Sequence, residues 1–450
     1  MGRRRPSARL IPRGQQPTGC GASGRSGGGG PEGTACRGGS AMTHHTRIDD
    51  FLLQSDAELF QLVDDLISVD SQIPPHADER AIVARLLEVT ERFGLGEQTV
   101  IGPTEQRPSL IVRMRGSGGG RNLMLNGHTD TKPVGEAREQ WVSDPLTPTV
   151  RDGRIYGLGA VDMKAALAAM IFAARALKEC GVPLRGDLLI GAIADEEAGA
   201  QLGAKFVAPL LRDVDAILIG EPSGWDHDWQ AIHLVSRGVC GFRVSVKGTQ
   251  MHSSLSDRMP SVNASLKAAE LLLRIARELD VPFTPHPLGD VGPTLNPGVM
   301  ISGGTFFGVV PGQAEFACDL RTVPGQTRDD VARAIERWLA ACRAADPDLD
   351  VEYSFEPGLD WVPWSELDAA HPLVAATQAA AADVLGAAPP LGVFPGGTDA
   401  PWYSGLGIPT LPSFGPGVLT GAHGPNEYVS VQSVRDAARM YARIAADFCS

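Results

Sequence analysis

Ten histidines occur in the 450 residues, few enough to weigh one at a time. His128 stands in Leu-Asn-Gly-His-Thr-Asp, at the C-terminal end of an apolar run, where open α/β sheets place their ligand sites. Residues two apart on an extended chain face the same way. Asp130 therefore reaches the His128 imidazole and can fix its tautomer, as carboxylates do behind metal-bound histidines. Taken alone, His-x-Asp is a weak signal, better explained by a structural hydrogen-bonded pair. Four other places add weight. Asp162 lies in Gly-Leu-Gly-Ala-Val-Asp-Met-Lys at the start of a helix, where its ordinary role would be an N-cap. Asp195, Glu196 and Glu197 follow the apolar run Leu188–Ala194, Glu221 follows Ala216–Gly220, and His423 lies in Gly-Ala-His-Gly-Pro-Asn-Glu ahead of the last helix.

Burying several carboxylates together costs many kcal/mol or forces them to take protons. Two divalent ions remove that cost. Asp162, Glu197 and Glu221 bring three negative charges against four positive, and a bridging hydroxide completes neutrality. Nitrogen and carboxylate donors suit zinc, with cobalt or manganese as alternatives.

The elements that must position these groups can be read from hydrophobic spacing. Helical periodicity covers 56–68 and 81–93, and strands fall at 110–114 and 123–126. The glycines between Gly116 and Gly120 open a strand rather than a helix, so they read as a hairpin loop and not as a phosphate cradle. A long helix is expected over 162–178, fully apolar strands at 187–194 and 215–220, and a helix at 203–211. Strands without polar alternation, interleaved with helices, indicate a mostly parallel sheet covered on both faces. From 239 the order becomes β-α-β-β-α-β: a strand at 239–247, a helix at 262–279, strands at 299–302 and 314–321, a helix at 328–343 and a strand at 350–354. Helices at 372–385 and 431–448, with a strand at 409–414 between them, complete the chain. The expected architecture is an α/β domain over 42–236 and 356–450, interrupted by a smaller α/β domain over 237–355.

Composition narrows the function classes. The net charge is −13 and the folded-looking part carries no Lys/Arg cluster, which argues against nucleic acid. No stretch approaches the roughly 20 apolar residues of a membrane span. The seven cysteines show no C-x-x-C pair, so a reducing cytoplasm fits better than a disulfide framework. Residues 1–41 are rich in Gly, Arg, Ser and Pro, with no apolar core of a signal peptide, and read as a disordered extension. Met42 follows directly and is the expected true start.

With these motifs in order, the sequence from about residue 55 onward resembles the M20 family of metallopeptidases and deacylases. That family includes acetylornithine deacetylase, succinyl-diaminopimelate desuccinylase, aminoacylase and glutamate carboxypeptidase. The resemblance implies that His128 and Glu221 hold one metal, Glu197 and His423 the other, and that Asp162 bridges them. It makes Glu196 the general base and Asp130 the partner of His128. It makes the inserted domain a lid and dimerisation domain. His252, in Gly-Thr-Gln-Met-His-Ser-Ser, would bind the oxyanion, often from the neighbouring subunit. Arg321 in Asp-Leu-Arg would grip a substrate carboxylate, and Gly397 and Thr398 would form the substrate-contacting glycine loop. The chain departs from the family at Gly308, where many members have Asn, and lacks an extra Ser in the Gly-Gly-Thr loop.

The implied activity is hydrolysis of the amide in a small N-acyl amino acid, by a homodimer that engages neither nucleic acid nor membrane. A dipeptidase or carboxypeptidase on the same two-metal site is the nearest alternative. A non-catalytic, metal-stabilised binding protein would be expected to have lost the base or a ligand, and none is missing.

Overall fold

A computed structural model describes residues 44–289 and 291–450. The extension 1–41 and Met42 lie outside them. Among the strands buried at every position are Leu123–His128, Leu188–Ile193 and Ala216–Ile219. Strands with no exposed face belong at the centre of a sheet covered on both sides, and that is where they sit. The six-stranded sheet runs Glu97–Ile101, Ser109–Met114, Leu188–Ile193, Leu123–His128, Ala216–Ile219, Thr410–Leu411. The last four strands are mutually parallel, and Ser109–Met114 is antiparallel to both its neighbours, Glu97–Ile101 and Leu188–Ile193.

Two sequence expectations change here. The Gly116–Gly120 segment is not a hairpin loop, because Leu188–Ile193 pairs with Ser109–Met114 on one edge and with Leu123–His128 on the other. The fully apolar strand takes the interior slot, and the half-exposed Glu97–Ile101 is left at the edge. The helix expected over 162–178 begins only at Ala165 and runs to Glu179. Residues Ala160–Lys164 before it are irregular, with Asp162 at φ −128°, ψ 85°, so Asp162 is not an N-cap.

Helix Ala165–Glu179 is apolar around its whole circumference. It is accordingly buried, packed between the sheet and the C-terminal helix Val431–Phe448. Helix His44–Gln54 is tied to that C-terminal helix by Asp49, which pairs with Arg439 and Arg443.

The expected β-α-β-β-α-β order is present. Its four strands form a separate antiparallel sheet in the order Thr294–Gly303, Gln313–Thr322, Gly238–Lys247, Asp350–Phe355. Helices Ala264–Glu278 and Arg328–Ala345 pack with it around a core of its own that includes Phe242, Phe316, Ile335 and Trp338. The chain enters this module from Ile232–Ser236 and returns through Ser365–Glu366, which pairs with that same strand. Entry and exit are thus adjacent, as an insertion requires. No helix among the described residues is long and apolar enough to cross a membrane.

Candidate active site

Four of the chemistry-bearing groups sit where parallel strands end. His128 closes its strand, Glu196 and Glu197 follow Leu188–Ile193, and Glu221 follows Ala216–Ile219. Because neighbouring parallel strands end side by side, residues up to 93 positions apart in sequence meet at one edge. Asp162 reaches them from the irregular segment beneath the central helix, and His423 from the loop before the last helix.

The Asp162 carboxylate lies between two imidazoles. Its Oδ1 is 2.8 Å from His128 Nε2, and its Oδ2 is 3.1 Å from His423 Nε2. Glu197 Oε1 is 3.1 Å from the same His423 nitrogen, and Glu221 Oε1 is 3.5 Å from His128 Nε2. Donor atoms of His128, Asp162 and Glu197 all lie within 4.8 Å of one another, as do those of His128, Glu196 and Glu221. These nitrogen and carboxylate donors fit divalent metal ions.

The electrostatics carry the mark of such a centre. Burial alone would lower the His128 and His423 pKa values. Instead the surrounding carboxylates push His128 well above the ordinary range and His423 up to about 11. Burial, reinforced by neighbouring acids, drives Glu196 and Glu221 well above theirs. Asp162, which burial would raise, is held low by its bonds to both histidines. As protein groups alone the cluster balances its charge with protons, and divalent cations are the chemical alternative to those protons.

Asp130 holds the centre in a different way from the one its spacing suggested. His128 Nδ1 lies 3.0 Å from the Asp130 backbone carbonyl and 3.7 Å from its carboxylate, so the carbonyl sets the tautomer. The carboxylate accepts the backbone N–H groups of Glu196 and Glu197 at 3.2 and 3.1 Å. It therefore positions the base candidate and a ligand candidate together. Asp195, the first acid of the triplet, faces away and pairs with buried Arg107 at 2.5 Å. It adopts φ 69°, and His423 adopts φ 58°, left-handed conformations uncommon for non-glycine residues and concentrated at functional sites.

Several buried partners carry no local sequence signal. Glu427 accepts the N–H groups of Gly159, Val161 and Asp162, fixing the irregular segment that presents Asp162. Arg107 also pairs with Glu79 at 2.9 Å. Asp399 is buried behind the glycine loop and pushed up to about 7, chiefly by burial. Lys132, which is only partly buried, places its Nζ 3.1 Å from Glu197 Oε2.

The centre opens into a cleft of about 570 Å³. The central-sheet side contributes Asp162, Glu196, Glu197, Glu221 and His423. Arg321 and Val239 line it from the inserted module, and Gly397 and Thr398 from the glycine loop. Arg321 reaches this cleft while its Nη2 holds Asp319 at 2.8 Å. His252 is elsewhere: it is exposed on the inserted module, its Nδ1 2.8 Å from Ser254 Oγ, and it does not line the cleft of its own chain.

A parallel-sheet edge carrying two imidazoles and four carboxylates, facing a cleft walled by an inserted module, defines a metal-dependent hydrolase. The chain belongs to peptidase family M20/M25/M40, whose model matches residues 124–447. It is 31% identical over 399 residues to a succinyl-diaminopimelate desuccinylase of Xanthomonas oryzae pv. oryzae, covering 85% of this chain and 97% of the relative. Its fold matches the dipeptidase Dug1p of Saccharomyces cerevisiae at a TM-score of 0.76 and 14% identity, covering 91% of this chain and 99% of that one. It also matches YXEP of Bacillus subtilis, described as a dinuclear metal-binding peptidase of the M20 family. There the TM-score is 0.62 at 19% identity, covering 88% of this chain and 98% of that one. Metal-dependent amide hydrolysis is the chemistry of this family.

Proposed function

We propose that this protein removes the acyl group from an N-acyl amino acid, using two zinc-type ions at the sheet edge. The observation that carries the reading is the Asp162 carboxylate, which offers one oxygen toward His128 and the other toward His423. In this assignment His128 and Glu221 would hold one ion and Glu197 and His423 the other, with Asp162 a ligand available to both. Bound there, the ions would lower the pKa of a shared water and polarise the amide carbonyl.

The remaining chemistry falls to side chains. Glu196 is the base: it takes the proton of the attacking water and returns it to the leaving amine, a contribution of about 10²–10⁴-fold. Asp130 fixes the backbone of Glu196 and Glu197, so that the base and a ligand keep their spacing. Arg321 receives the substrate's carboxylate through paired guanidinium hydrogen bonds, and Gly397 and Thr398 flank the bound substrate. Gly397 suits a close approach, since a Cβ there would fall 3.0 Å from Val239 and 3.8 Å from Arg321 Nη1.

Residues 237–355 serve as lid and dimerisation domain. Supporting this, Met300 and Ile301 on the edge strand are 51% and 67% exposed, and Phe306 and Phe307 beside them 78% and 92%. An apolar sheet edge of this kind asks for a partner. In the homodimer His252, absent from its own cleft, is supplied to the neighbour's oxyanion. The five described cysteines carry free thiols, which agrees with a cytoplasmic enzyme.

The test is turnover of N-acetyl, N-succinyl and N-formyl amino acids beside dipeptides, with and without a chelator. Chelator-sensitive release of an amino acid from the acylated series supports the reading. Turnover confined to dipeptides replaces it with a dipeptidase on the same site.

A further inference from the structure

The two halves of the proposed centre are not electrically equivalent. On one side Glu221 has a single ion-pair partner among the described residues, His128. On the other, Glu197 has His423 on Oε1 and the ammonium of Lys132 on Oε2, both at 3.1 Å. Lys132 also donates to the Glu197 backbone carbonyl. The segment Thr131-Lys132-Pro133 directly follows the His128–Asp130 strand end, so backbone placement brings the lysine here. Its side chain is 35% exposed. It lines the main cleft and also a small cavity behind His423, bounded by Trp141, Leu158 and Glu427.

From this geometry we infer that Lys132 is a resident cation that weakens the Glu197–His423 half-site, so that the two ions load in sequence. The inference rests on the ligand assignment proposed above. An ammonium on one carboxylate oxygen leaves Glu197 a single oxygen for an ion, withdraws charge from it, and repels an incoming dication across a few ångström. At an effective dielectric constant of about 20 such repulsion is worth well over a factor of ten in affinity before solvent screening. Screening at a one-third-exposed side chain reduces it, and at least about tenfold remains. The half-site of His128 and Glu221 has no such neighbour and fills first.

The opposite sign is a real competitor. If Lys132 instead orients Glu197 for its ion, its loss should weaken that ion by about 10–100-fold, as removal of orienting partners generally does.

The experiment is a Co²⁺ titration of the full-length protein after chelator dialysis, read by visible absorbance and by calorimetry, in wild type, Lys132→Met and Lys132→Arg. Methionine keeps the length and removes the charge; arginine keeps the charge. Wild type should bind two ions with separated affinities. Lys132→Met should tighten the weaker step at least about tenfold and leave the first unchanged, and Lys132→Arg should stay near wild type. Thermal melting monitors folding, with Lys132→Gln as the second uncharged variant if methionine is not tolerated. An unchanged or weakened second step in the uncharged variant overturns the inference while leaving the two-ion centre intact. Failure of wild type to bind a second ion overturns both.

Discussion

Glu427 offers the sharpest structural test of how the centre is held. Its Oε1 accepts the N–H groups of Val161 at 2.9 Å and Asp162 at 3.2 Å, and its Oε2 accepts that of Gly159 at 2.9 Å. The side chain is buried, so none of the three donors has water as a ready substitute. In Glu427→Gln the amide oxygen can keep the Val161 and Asp162 bonds, while its NH₂ meets the Gly159 N–H donor to donor. That single mismatch should cost about 1–3 kcal/mol. Glu427→Ala strands all three donors, and with partial relaxation into the small cavity beside it should cost about 3–5 kcal/mol. Urea unfolding reads both, as a fall in midpoint at constant slope. Because the stranded donors belong to the segment that presents Asp162, metal affinity should fall in the same order. Two results refute the reasoning: Glu427→Ala within about 0.5 kcal/mol of wild type, or alanine and glutamine variants indistinguishable in stability.

Arg107→Met should destabilise by about 3–5 kcal/mol, because Glu79 and Asp195 lose a buried counter-charge at 2.9 and 2.5 Å; a melting temperature equal to wild type would contradict this. Burial would raise the Asp49 carboxyl, but hydrogen bonds from Arg439 and Arg443 bring it down to about 2. With the folded value below the unfolded one, its stabilisation is present above about pH 4 and is lost as pH falls toward 2. After allowance for solvent screening it is worth about 1–2 kcal/mol, and the gap between wild type and Asp49→Asn should close over that interval. Arg321→Lys should raise KM for N-acyl amino acids far more than for their methyl esters, since lysine cannot reproduce a paired grip on a carboxylate; equal losses on both would remove Arg321 as the anchor.

Much of this was legible in the sequence because the relevant signals were local. The fully apolar strands at 188–194 and 216–220 announced a sheet interior, and acids placed directly after them had to lie at its edge. The β-α-β-β-α-β order followed from runs of alternation and amphipathic helices that kept their bounds within a few residues. Pairing was not legible. The Gly116–Gly120 segment looked like a hairpin because the strand that separates its flanks lies some 70 residues downstream. Strand Glu97–Ile101, with no buried residue, offered no apolar run to detect. Asp162 looked like the cap of a continuous helix, since nothing in Ala-Val-Asp-Met-Lys marks a chain held irregular by a glutamate 265 residues away. The same reason hid Glu79, Arg107 and Lys132, each of which pairs with a partner that only the fold brings near. Asp130 was found, but for its side chain, whereas its carbonyl orients His128.

The central claim, a two-ion centre worked by Glu196, is tested most directly by metal analysis and turnover on the same samples. Wild type, Glu196→Gln and Glu197→Gln would be stripped, reloaded with zinc and assayed on an N-acyl amino acid. Wild type should carry two ions and recover full activity. Glu196→Gln should carry two ions with at least about a hundredfold loss of kcat, and Glu197→Gln should hold one ion weakly. Undiminished turnover by the stripped wild type, or by Glu196→Gln, would contradict that claim.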